Sequence, residues 1–120
     1  MPNKTDHLNQ AIHNTKFLST FDRNEYNDWA ATVLFYIGLH YIDAFLAAQP
    51  LPLYPGSHDR RDKCVREISE LRQISGDYWA LKNSSRSARY NPPVHFTPQH
   101  IGRLEMVHLT KIRATLQPFI

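Results

Sequence analysis

The chain has a single cysteine, Cys64, so no disulfide can form within it and the fold rests on packing alone. That usage fits a reducing compartment. With no apolar core in the opening MPNKTDHLNQ to make a signal peptide, the expected location is the cytoplasm. No HExxH pattern occurs, and His95 and His100 straddle Pro98 rather than sharing a helix face, so neither a metal nor another cofactor is expected. Alternating strand patterns, repeats and low-complexity tracts are missing too, which leaves helices as the only regular structure. Two gaps in the charge pattern matter most. Lys and Arg are absent between Arg23 and Arg60, and Asp and Glu are absent between Tyr78 and Leu104.

The first gap holds the longest apolar run, residues 28–49, DWAATVLFYIGLHYIDAFLAAQ. Its length would suit a bilayer. An ionised Asp43 near its middle, however, costs roughly 2.5–3.5 kcal/mol in lipid, Gly38 and His40 interrupt the run, and no cation anchors either end. The run is therefore expected to be a central helix buried in protein, with no membrane partner. At 120 residues the chain is long enough for one core, so residues 1–120 are expected to form a single domain.

The remaining segments supply the covering for that helix. Leu8, Ala11, Ile12 and Leu18 recur at helical spacing from Asn3 to about Thr20, with Thr5 or Asp6 as N-cap. A short joint, with Asp22 and Glu25 spaced as a capping box or Asn24 as cap, should turn this helix antiparallel to the central one. PLPLYPGS then stops helix, and Ser57 caps a third segment, with Asp59 and Asp62 in its first turn. That segment runs from His58 to about Tyr90, with Ser75-Gly76 expected to kink it near Gly76 or break it. Asn91-Pro92-Pro93 ends it. Thr97-Pro98 opens a fourth helix with Ile101, Leu104, Val107 or His108, Ile112 and Leu116 inward. The expected architecture is an all-α, four-helix, up-and-down bundle.

The second gap carries the candidate site. Lys82, Arg86 and Arg89 fall at i, i+4 and i+7 on one helix face, with Trp79 at its start and Tyr90 and Phe96 nearby, a pattern suited to phosphate contact and base stacking. Tyr36, His40 and Asp43 share the same spacing on the central helix and predict a buried polar network. Trp79, Tyr54 and Phe119 are candidate interface aromatics. Cys64, away from a helix start and without a partner, is expected to be unreactive.

Several polar and aromatic landmarks resemble the HEPN family (higher eukaryotes and prokaryotes nucleotide-binding domain). They are Tyr26-Asn27-Asp28-Trp29-Ala30, Phe35-Tyr36 with Leu39-His40, Ser57-His58, and Ser85-Arg86-Ser87-Ala88-Arg89-Tyr90. The resemblance implies a prokaryotic defence or toxin–antitoxin protein with one of two roles. One is a non-catalytic module that binds RNA, nucleotide phosphate or a partner such as a nucleotidyltransferase or an antitoxin. The other is a metal-independent, homodimeric ribonuclease using an Arg-x4–6-His motif, which Arg89-YNPPV-His95 and Arg103-LEMV-His108 match in spacing. In such a site His would take the proton of a ribose 2′-OH while Arg stabilises the phosphate. With nine arginines and seven histidines, chance supplies about one or two such spacings, and Tyr90 and Leu104 stand where the motif usually has a polar residue, so the non-catalytic role is preferred.

Overall fold

A computed structural model describes residues 1–120, and every regular element in it is helical. The elements are α1 (Lys4–Leu18), α2 (Asn27–Ala47), α3 (His58–Glu67), α4 (Ser69–Arg72), α5 (Ser75–Tyr90), α6 (Pro98–Arg103) and α7 (Thr110–Leu116). A π-helical turn, Leu104–Leu109, joins α6 to α7, so residues 98–116 form one rod.

The central helix is where the apolar run predicts it. Ala30, Leu34, Phe35, Ile37, Ile42, Phe45 and Leu46 of α2 are buried, and α1, α5 and the rod all pack on it. Each large side chain so enclosed stabilises the fold by about 1.5–3 kcal/mol. α2 is also the one helix with the length and apolarity of a membrane span, and 72 % of its most apolar window is buried within the protein. Gly38 lets α5 and the rod approach, since a Cβ there would stand 3.1 Å from Leu81 Cδ1 and 3.6 Å from Ile112 Cδ1.

Several local expectations are corrected. The N-cap of α1 is Asn3, whose side chain and that of Asp6 satisfy each other's backbone N–H at 2.8 and 2.9 Å; Ile12 faces solvent. Asp22 caps a turn at Asn24 and Glu25, and α2 starts later, at Asn27, with no side-chain cap. The third segment breaks before Ser75, next to the Ser75-Gly76 pair expected to interrupt it, and also, unforeseen, at Ile68, which is extended (φ −84°, ψ 126°), so that it forms α3, α4 and α5, with Gly76 in the first turn of α5. The double break turns Leu71 and Ile74 fully into the core, a gain that outweighs a continuous helix. Ser57 and Thr97 do cap their helices, accepting from the N–H of Arg60 at 3.2 Å and of His100 at 3.0 Å. Past Leu104 the next buried residue is Leu109, not Val107 or His108, because the π turn adds one residue to the repeat.

Candidate anion-binding cleft

The C-terminal half of α5, the start of α3 and the middle of α2 meet at one side of the molecule. Two adjoining hollows lie there, each of about 300 Å³, and they share His58. Asp59, Lys82, Arg86, Arg89 and Tyr90 line the first; Tyr36, His40, Asp43, Ser57 and Arg61 are among those lining the second.

Two buried carboxylates organise the floor. Asp43 accepts from Arg61 Nε at 2.8 Å and Nη2 at 2.9 Å, a two-pronged pair across α2 and α3. Asp62 accepts from the ammonium of Lys82 and, at 2.5 Å, from the Tyr78 hydroxyl. Burial by itself would raise the Asp62 carboxyl, but the hydrogen bonds from Lys82 and Tyr78 and the Lys82 charge outweigh it and hold it below its ordinary range. Burial and the adjacent Asp62 carboxylate push the Tyr78 hydroxyl up. Asp62 is thus no helix-dipole acid, and Lys82 is no solvated cation: it is 7 % exposed and neutralised.

Arg86 and Arg89 are different. Neither has a carboxylate within ion-pair distance. Arg86 is exposed. Arg89 is half-buried, donating to the Tyr36 hydroxyl at 3.3 Å and to its own helix at the Ser85 carbonyl, with its guanidinium 5.7 Å from the Tyr36 ring and 5.2 Å from that of Tyr90. The aromatic rings hold the cation without cancelling its charge. His58 completes the set. Arg61 Nη1 lies 3.3 Å from His58 Nδ1, and since a guanidinium can only donate, Nδ1 accepts and a neutral His58 carries its proton on Nε2. Burial, then the charges of Arg61, Lys82 and Arg89, push the His58 pKa down, with Asp62 opposing them. The cleft therefore presents two guanidiniums without a carboxylate partner and an imidazole N–H, groups that can donate to an anion, with the Asp59 carboxylate lining the same hollow.

The predicted residues divide accordingly. Lys82, Arg86, Arg89 and Tyr90 do share one hollow. Trp79 is not at that hollow; it packs edge-on to Tyr78, with Lys82 Nζ 5.2 Å over its ring. His95 is exposed in the loop after α5 and lines neither hollow, and His108 is occupied by Asp77 at 2.9 Å. The line Tyr36, His40 and Asp43 exists, but its members bond outward to Arg89, His7 and Arg61 rather than to one another. Sequence spacing missed His58 and Arg61, which reads as an ordinary helix start, and Trp29, which is 58 % exposed beside Arg89. It also missed the grouping of His7, His40 and Asp43, three potential metal ligands that no local motif connects.

The class so defined is an all-helical protein with a basic, aromatic-edged cleft. Comparison with family models, curated proteins and solved structures finds no match.

Proposed function

We propose that the chain is a non-catalytic, HEPN-like phosphate-binding module that holds RNA through this cleft. One observation carries the reading: the landmarks Tyr36, His40, Ser57-His58, Arg86 and Arg89-Tyr90, spread over more than fifty positions, line two hollows that adjoin at His58. A family site scattered through a sequence would be expected to converge in this way. Phosphate oxygens suit Arg86, Arg89 and His58 Nε2–H, and unpaired bases can stack on Tyr90 or Trp29. On this reading α1, α2, α5 and the rod would be the long members of the family's four-helix bundle, and a second copy, an antitoxin or a nucleotidyltransferase would be the partner of such a module.

The tautomer of His58 argues against its use as a base. Its Nδ1 lone pair is turned to Arg61, and its other nitrogen carries a proton, so it can donate to phosphate but not accept from a ribose hydroxyl. A ribonuclease would need Arg89 and His95 from two copies to converge on one phosphate. The test incubates the protein with labelled single-stranded RNA in EDTA and reads both retardation and cleavage. Salt-sensitive binding without cleavage, weakened roughly tenfold by Arg86→Ala or Arg89→Ala, is expected. Cleavage lost in His95→Ala would replace this reading with the ribonuclease, and intact RNA without retardation would end both.

A further inference from the structure

His7 of α1 and His40 of α2 approach each other with Nδ1 to Nδ1 at 3.1 Å, their ring centroids 5.4 Å apart. Two imidazoles that meet through the same nitrogen are in one of two states. Either one donates a proton to the other, or both turn a lone pair toward a cation. Two nitrogens bound to one tetrahedral zinc, at bond lengths of about 2.0–2.1 Å, stand about 3.3 Å apart. The pair is therefore already spaced for chelation within a few tenths of an ångström.

A third group stands beside them. The ligand atoms of His7, His40 and the buried Asp43 all lie within 4.8 Å of one another. Both oxygens of Asp43 are engaged by Arg61, which places it as an outer partner of the ion rather than a direct ligand. Its carboxylate gives one lone pair per oxygen to Arg61 and keeps the others, which can accept a hydrogen bond from water on the metal. Arg61 is the cation that opposes an ion here, and its charge is offset by Asp43.

We propose that His7 and His40 form a chelating site for a divalent transition-metal ion of the zinc class, with Asp43 holding a metal-bound water. Imidazole pairs favour such ions over magnesium or calcium. On binding, the histidine that donated through Nδ1 shifts that proton to Nε2, so that both Nδ1 lone pairs face the ion. The ion clips the first helix to the central one, and, since His40 and Asp43 line the cleft, brings positive charge to its edge. The site does not depend on the RNA reading.

The test is calorimetric titration of the metal-free full chain with zinc chloride, and with cobalt chloride read by its visible absorption, for the wild type, His7→Gln, His40→Gln and, as control, His13→Gln, an exposed histidine of the same helix. The wild type and His13→Gln should bind one ion and melt several degrees higher with metal present. His7 is only half-buried, so His7→Gln should keep the wild-type circular dichroism while losing at least tenfold in affinity. No saturable binding by the wild type, or binding that survives His7→Gln unchanged, would overturn the site.

Discussion

Asp43 and Arg61 form a two-pronged ion pair with both side chains under a tenth exposed, joining the central helix to α3. Such a pair is costly to break because the survivor stays buried and unpaired, by about 3–5 kcal/mol. Arg61→Ala should therefore lose most of the chain's stability, whereas Asp43→Leu with Arg61→Leu should lose much less. Urea midpoints of the three proteins decide it. A double variant as weak as the single one would show that the pair supplies net stability rather than a fixed geometry.

Asp62 makes the fold sensitive to acid. Its carboxyl is held below the ordinary value by Lys82 and Tyr78 against the opposite pull of burial, so its contribution is complete above the unfolded value of about 4 and lost as pH falls through the lowered folded value. Asp62→Asn should be less stable at neutral pH and flatter below pH 4. Urea midpoints from pH 7 down to 2 would show it, and parallel curves for the two proteins would contradict it.

Anion binding should strengthen on mild acidification, through His58. Its neighbours are Arg61, Lys82, Arg86 and Arg89 on one side and Asp59, Asp62 and Asp43 on the other, and burial followed by the nearby cations sets its pKa below the usual 6.5. The added charge therefore arrives below pH 6.5, at a more acid pH than for a free histidine, and a bound phosphate pulls it back up. Affinity for single-stranded RNA, measured by fluorescence anisotropy between pH 8 and 5.5, should rise severalfold in the wild type and stay flat in His58→Gln. Equal rises in both would assign the effect to other histidines.

The helical class, the central helix and the caps at Ser57 and Thr97 were legible because each follows from local chemistry: apolar spacing, or a hydroxyl aimed at a free N–H. The face of Lys82, Arg86 and Arg89 was only half legible. Helical spacing places all three on α5 in the right direction, but it contains no information about Asp62, which lies on another helix and neutralises the first of them. His7 and His40 stand equally far from the joint at Arg23 and Asn24, so antiparallel packing of α1 and α2 already implies their meeting, although no motif flags it. Arg61 gains its meaning from the fold alone, and His58, marked only by the resemblance, gains its partners there.

Ser85, whose carbonyl accepts from Arg89, has its hydroxyl fully buried and without a hydrogen-bond partner. A buried hydroxyl that makes no bond costs about 1–3 kcal/mol relative to an apolar group of similar size. Ser85→Ala should consequently raise the urea midpoint, and it should leave RNA affinity unchanged because Arg89 bonds only the Ser85 carbonyl. A loss of RNA affinity in this variant would instead give the hydroxyl a role with the ligand.

The π turn makes a prediction about length rather than chemistry. The Thr110 N–H bonds to the Glu105 carbonyl five residues back, and its hydroxyl donates to the same oxygen at 3.0 Å. One residue is thereby carried out of the α repeat, and the most exposed residue of the turn is Met106, at 75 %. Deleting Met106 should convert the turn to α-helix while leaving Ile101, Leu104, Leu109, Ile112 and Leu116 facing the core, at a cost of about 1 kcal/mol or less. Deleting Arg113, exposed on α7 with its guanidinium 5.9 Å from the Tyr41 ring, would instead rotate Leu116 off the core and cost about 2–5 kcal/mol, as for loss of a buried leucine. Equal damage from the two deletions would mean that the turn is required where it stands, holding Glu105 to Arg23 and His108 to Asp77.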